Sequence, residues 1–232
     1  MLIKNAHERT QRALQNRTKL WAFLSIHTYS DLETLTHHMA FATKAPVSKI
    51  LKHWVAIGIV KKIELKNSFG KVTLFGITQK GIENDRKPVQ PSKISLRTLE
   101  HTLKVQRASS YFLQLPKTEE LCMEIINIES GDLKKYGLSH RPDLLMQSAL
   151  DETLLVCIEV ELSLKSYQRY VEILKTYFAQ IRRGHITQVI YVFYDAQVAD
   201  RFEKTILHKY YLKYPDDVKQ KLKVRVVTAH RP

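Results

Sequence analysis

The sequence predicts an α/β protein in two parts: a small helical region closed by a β-hairpin, then a larger α/β domain built on a mixed central sheet. Three observations predict it. Apolar residues recur at helical spacing in the first sixty residues, and two β-rich runs, IVKKIEL and KVTLFGI, follow. From residue 96 onward, strand patterns and helix patterns alternate, as in α/β folds. Between the two parts lies DRKPVQPSKIS, residues 85–95, whose two prolines disfavour helix and ladder hydrogen bonding alike. The expected domains are therefore 1–84 and 96–232, with 85–95 as linker.

In the first region, residues 8–26 carry Ala13, Leu14, Leu20, Trp21, Phe23 and Leu24 at helical spacing. Ser30 followed by Glu33 reads as a capping box opening a helix over 31–40. After the turn FATK, Pro46 suits the first turn of a third helix, which runs to Ile57 and stops at Gly58. Val47, Ile50, Leu51, Trp54 and Val55 would form its buried side, and Ser48, Lys49, Lys52 and His53 its exposed side. The two β-rich runs joined by KNSFG make a hairpin with a polar turn. In the second region the order is helix 96–114, strands 121–128, 141–149 and 154–163, helix 166–183, strand 188–196, helix 197–212 and strand 224–229.

Charge narrows the partners. The 232 residues include 37 Lys and Arg against 23 Asp and Glu, a formal net charge of +14. Residues 1–90 hold 15 of the basic and 6 of the acidic side chains, so most of the excess lies in the first region. Such an excess favours polyanions through counterion release, nucleic acid first and an anionic membrane second. A basic surface without such a partner is the plain alternative. No segment approaches about 20 consecutive apolar residues, so no membrane insertion is expected. Cys122 and Cys157 both sit in strand-like apolar runs and form neither a metal-ligand pair by spacing nor a disulfide framework, which fits a reducing cytoplasm.

Two places look chemical. Arg141-Pro142-Asp143 opens one strand, and Glu159-Val160-Glu161, with Lys165 beyond, lies in another. Residues i and i+2 of a strand share a face, so Glu159 and Glu161 point one way and Ile158 and Val160 the other. Carboxylates on an apolar strand are costly to bury unpaired. A divalent metal offsets that cost, and Mg2+ takes one or two carboxylates with waters and phosphate. Lys165 is then placed to orient a nucleophile or to stabilise charge. Each residue also has a plain reading: Asp143 as a turn cap, the two glutamates at an exposed sheet edge paired with lysines, Lys165 as a solvated cation.

These residues resemble the PD-(D/E)XK nuclease superfamily, the restriction-endonuclease-like fold. Pro142-Asp143 match its proline-aspartate step and Glu159 its second acid. Its lysine stands two residues later, where this chain has Glu161, and Lys165 is the nearest substitute. Over residues 8–84 the order of three helices and a hairpin resembles the winged helix, in which the third helix enters the major groove and the wing touches backbone or minor groove. That resemblance implies DNA contacts by Lys49, Lys52 and His53, and by Lys66, Asn67 and Lys71 in the wing; the same arrangement also serves protein contacts in some members. The whole chain is similar to the plasmid replication-relaxation proteins and the C-type conjugative relaxases. The shared positions are Glu100 to Leu103, Arg141 to Asp143, Glu159 to Glu161, Lys165-Ser166 and Tyr177.

The resemblance implies double-stranded DNA at a plasmid mobilisation or transfer origin as partner, with accessory mobilisation or coupling proteins beside it. It implies Mg2+ or Mn2+ held by Asp143, Glu159 and Glu161, Lys165 supporting the attacking group, His101 as an acid or phosphate contact, and Arg141 on DNA. A non-cleaving replication or transfer factor with a degenerate nuclease fold is the competing expectation, because of Glu161 at the lysine position. Tyr167, Tyr170 and Tyr177 share one helix, and such a stripe is a core pattern before it is a nucleophile.

Overall fold

The computed structural model describes residues 6–67, 70–82, 88–115, 123–126, 133, 135–211 and 216–227. Cys122, the flanks of the 121–128 strand, residues 85–87 of the expected linker and the end of the last strand lie outside these residues. The chain is mixed α/β, with a small three-stranded antiparallel sheet and a five-stranded mixed sheet. It divides into two compact units, Met1–Ser110 and Tyr111–Arg231.

The first unit contains α1 (Ala6–His27), β1 (Tyr29–Asp31), α2 (Leu32–His38), α3 (Ala45–Ala56), β2 (Val60–Asn67) and β3 (Gly70–Ile77). Leu20, Phe23 and Leu24 of α1 meet Leu35 of α2 and Val47, Leu51 and Trp54 of α3 in one apolar core. The α3 residues in that core stand at i, i+4 and i+7, one face of a helix. Val55, expected inside, is 36% exposed because it falls at the margin of that stripe in the last turn. Gly58 ends α3 at φ +75°, a conformation that costs glycine little. The Gly58 amide then donates to the Val55 carbonyl and the Ile59 amide to that of Trp54, at 3.1 and 2.9 Å. That pair of bonds closes the helix as a Schellman motif.

Strand β1 went unforeseen, and it moves the expected helix cap. Ser30 pairs with Phe75 in the sheet, so its backbone is extended and Asp31 takes the cap position. The Asp31 carboxylate accepts from the Thr34 amide at 2.7 Å. Arg107 lies 3.6 Å from Asp31 and 3.2 Å from Glu33. Asp31→Ala is expected to cost about 1 kcal/mol, the usual worth of such a cap. The drop should appear in thermal denaturation, and Asp31→Asn should recover most of it.

Helix α4 (Leu96–Gln114) occupies the expected residues. Its first half packs in the first unit, where Leu99 joins Ile63, Leu74 and Val89. Val89, from the segment read as linker, donates its amide to the Ile77 carbonyl at 2.9 Å. It also sits on Gly76, where a Cβ would meet it at 2.5 Å.

The second unit carries β4 (Met123–Ile126), β5 (Leu144–Ser148), β6 (Leu155–Glu161), α5 (Tyr167–Arg182), β7 (Gln188–Phe193), α6 (Ala196–Phe202), α7 (His208–Tyr211), α8 (Asp216–Lys219) and β8 (Leu222–Val226). The sheet order follows the chain; the first two pairings are antiparallel and the last two parallel. Helix α5 is the crossover that the parallel β6–β7 pair requires. Ser166 caps it, and Tyr170, Leu174, Tyr177, Phe178 and Ile181 face the core. The single helix expected over 197–212 is instead broken by a π-helical turn at Glu203–Leu207. Such a turn widens the helix by one residue while Ile206 and Leu207 stay buried.

Candidate active site

Register brings the acidic residues together. Leu144 pairs with Ile158 across the antiparallel β5–β6 ladder, which sets Asp143, one residue earlier, beside the far end of β6. Its Oδ2 accepts from the Val160 amide at 2.8 Å, extending the ladder by a side chain. Glu159 and Glu161 follow on one face of β6, only 5% and 4% exposed. Ile158 and Val160 are buried on the other face.

Each carboxylate is met by the chain's own donors. The Tyr177 hydroxyl of α5 donates to Glu159 Oε1. His140 Nε2 stands 3.1 Å from the same oxygen, with its ring edge-on to Tyr177. Lys165 Nζ pairs with Glu161, and the Lys165 amide donates to the Tyr170 hydroxyl at 3.3 Å. Tyr191 lies opposite Glu159 in the parallel β6–β7 register. Its buried hydroxyl finds no hydrogen-bond partner among the described residues.

The electrostatics follow from this crowding. Burial raises the Glu161 carboxyl above the ordinary range; Lys165 opposes the shift, and Glu159 and Asp143 reinforce it. Burial and the nearby glutamates push the phenols of Tyr170, Tyr177 and Tyr191 upward too. Phenols so raised stay protonated at neutral pH and act as donors rather than nucleophiles. The tyrosine stripe is core at Tyr170 and Tyr177, whereas Tyr167 is 40% exposed.

Asp143, Glu159, Glu161 and Lys165 thus come together. Arg141 is exposed, two residues before Asp143. His101 lies on α4, within the first unit. Lys49, Lys52 and His53 are exposed on α3. Lys66 pairs with Lys71, and Asn67 with Gly70, at the end of the hairpin. Lys71 is also 2.5 Å from Glu64, and Lys62 is 2.8 Å from it. Side-chain hydrogen bonds from those two lysines hold the Glu64 carboxyl at about 2. Sequence reasoning missed His140 and Tyr191. His140 adjoins the Arg-Pro-Asp step, a signal that was available; Tyr191 is found only through strand register.

The donor set suits a hard divalent cation, which prefers carboxylate oxygens. The buried, unpartnered Tyr191 hydroxyl and the raised Glu161 carboxyl mark the same spot as short of positive charge or donors. Among the described residues, no three His, Cys, Asp or Glu side chains stand arranged as ready ligands. A cation would have to displace Lys165 or the His140–Tyr177 pair from the carboxylates.

In comparisons with known proteins, the chain matches no family model, no curated protein and no solved structure.

Proposed function

We propose that the protein binds double-stranded DNA through its first unit and cuts one phosphodiester bond with the acidic cluster of its second, as a relaxase-like nuclease of a plasmid transfer origin. The observation that carries this reading is the meeting of Asp143, Glu159, Glu161 and Lys165 at one sheet face. A pure DNA binder gains nothing from buried acids turned toward phosphates. The helix–helix–helix–hairpin order of the first unit supports a winged helix, with Lys49, Lys52 and His53 on the exposed side of its third helix. The β-β-β-α-β order after α4 supports a restriction-endonuclease-like domain.

Asp143, Glu159 and Glu161 would hold Mg2+ or Mn2+, which when bound polarises phosphate oxygens and acidifies water. Lys165 carries the compensating charge on Glu161 and is placed to stabilise a developing negative charge. Tyr177 and His140 orient the Glu159 carboxylate. Arg141 provides an exposed cation two residues from Asp143 for backbone phosphate.

One reading competes: a plasmid replication or transfer factor that binds without cutting. The engagement of the glutamates by Lys165, His140 and Tyr177, and the glutamate at the customary lysine position, favour it.

The deciding experiment incubates supercoiled plasmid carrying the protein's own mobilisation region with Mg2+, Mn2+ or EDTA. Metal-dependent conversion to open circle is expected, with loss in Asp143→Ala and in Glu159→Ala. Binding without any nick, with accessory proteins supplied, would favour the non-cleaving factor.

A further inference from the structure

Helix α1 is longer than its core contact. Leu20, Phe23 and Leu24 seat it in the first unit, yet every residue from 6 to 19 is exposed except the half-buried Asn16. This extension is about 20 Å long at 1.5 Å per residue. Solitary helices of this length are marginal in water, so an unpacked one gains from a partner.

Its charge is sorted by face. At about 100° per residue, Arg12, Asn16, Arg9 and Arg17 fall within about 140° of arc. That is the sector of Leu20, Phe23 and Leu24, so the basic stripe continues the packed face of the helix beyond the core. The opposite side holds uncharged residues and Glu8, the one acidic side chain between 6 and 19. Among the described residues, no carboxylate pairs with Arg9, Arg12 or Arg17.

The same stretch lacks what a second helix would need. Its apolar residues are Ala6, Ala13 and Leu14, and Leu14 is 66% exposed on the side away from the arginines. No apolar seam runs along it. Arginines instead offer planar forks that match phosphate oxygens.

We infer that the basic face of this extension is a second phosphate-backbone contact of the first unit, lying along one strand of duplex DNA. It acts in addition to the exposed face of α3 and the hairpin, and it rests on the DNA-binding reading above. From Arg9 to Arg17 is about 12 Å of axis, and duplex DNA advances about 3.4 Å per phosphate of one strand, so the stripe spans about three phosphates.

The test measures binding of the full chain to a labelled 40-base-pair mixed-sequence duplex between about 50 and 200 mM KCl, a range in which counterion release is readily resolved. Arg9→Gln, Arg12→Gln and Arg17→Gln are combined in one variant, and Lys49→Gln with Lys52→Gln in another. Three lost contacts should flatten the slope of log affinity against log salt by about 2.7, at about 0.9 per contact. Far-UV circular dichroism and sedimentation should stay at wild-type values. A wild-type slope in the arginine variant, with a reduced slope in the α3 variant, would overturn the extension's role and leave the DNA reading standing. A wild-type chain that binds no duplex at any salt, or that binds only anionic phosphatidylserine vesicles, would overturn both. A dimer that the arginine variant loses would reassign the stripe to self-association.

Discussion

Replacing Lys165 by methionine is expected to destabilise the second unit by about 3 kcal/mol at pH 7, near the lower end for breaking a buried ion pair. Glu161 is 4% exposed and Lys165 28%, so the cation has some solvent and the carboxylate almost none. The Glu161 carboxyl is already raised by burial with Lys165 present, and Glu159 and Asp143 push in the same direction. Without Lys165 it must rise further. A carboxyl raised in the folded state binds its proton more tightly there than in the unfolded chain. Stability is then greatest below the ordinary carboxylate range and falls as pH rises toward the folded value. The variant should therefore lose most of its stability at pH 7.5 and little at pH 5. Glu161→Gln in the same background should restore most of it. Hydrogen exchange of the β6 and α5 peptides reads this unit directly. A change under about 0.5 kcal/mol at pH 7.5 would place the pair among surface pairs of little worth.

The first unit should instead fail in acid. His27 and His38 flank the Phe23 ring, with centroids 4.5 and 4.2 Å away, and reach Ser109 and Ser110 at 3.2 Å. Burial lowers the His27 imidazole to about 4. Burial first, then the nearby Lys19 charge, with smaller effects from His27 and His37, lowers His38 to about 3. Both rings bind protons less readily when folded, so the stability they confer is full above about pH 6.5. It is lost as pH falls toward those folded values. At about 1.36 kcal/mol per pH unit the combined loss is on the order of 6 kcal/mol, comparable to the whole stability of a small domain. The chain has two tryptophans, Trp21 and Trp54, and they meet edge to face at 6.0 Å in this unit. Their fluorescence thus reports its unfolding alone. A cooperative transition between pH 6 and 4 is expected, shifted to lower pH in the double variant His27→Gln, His38→Gln. An identical midpoint in that variant would dismiss the histidines as its cause.

Much of this was legible in the residue pattern. Helical spacing gave α1, α3, α4 and α5 nearly residue for residue, because each buries one stripe and the stripe is visible in sequence. Alternation along CIEVE set Glu159 and Glu161 on one face before any neighbour was known. The carboxylates and their lysine were accessible for the same reason: they lie within a few residues of one strand or at its start.

What sequence could not decide was partnership. Ser30 looked like a helix cap, but pairing with Phe75 drew it into a sheet and left the cap to Asp31. Tyr191 carries no local mark; only the parallel register of β7 sets it opposite Glu159. Lys165 was a lysine out of place until the turn into α5 brought its amine onto Glu161. Periodicity is local and survives in one dimension. Register, burial and the balance between a buried charge and its neighbours depend on residues far apart in the chain, and tertiary packing alone fixed them.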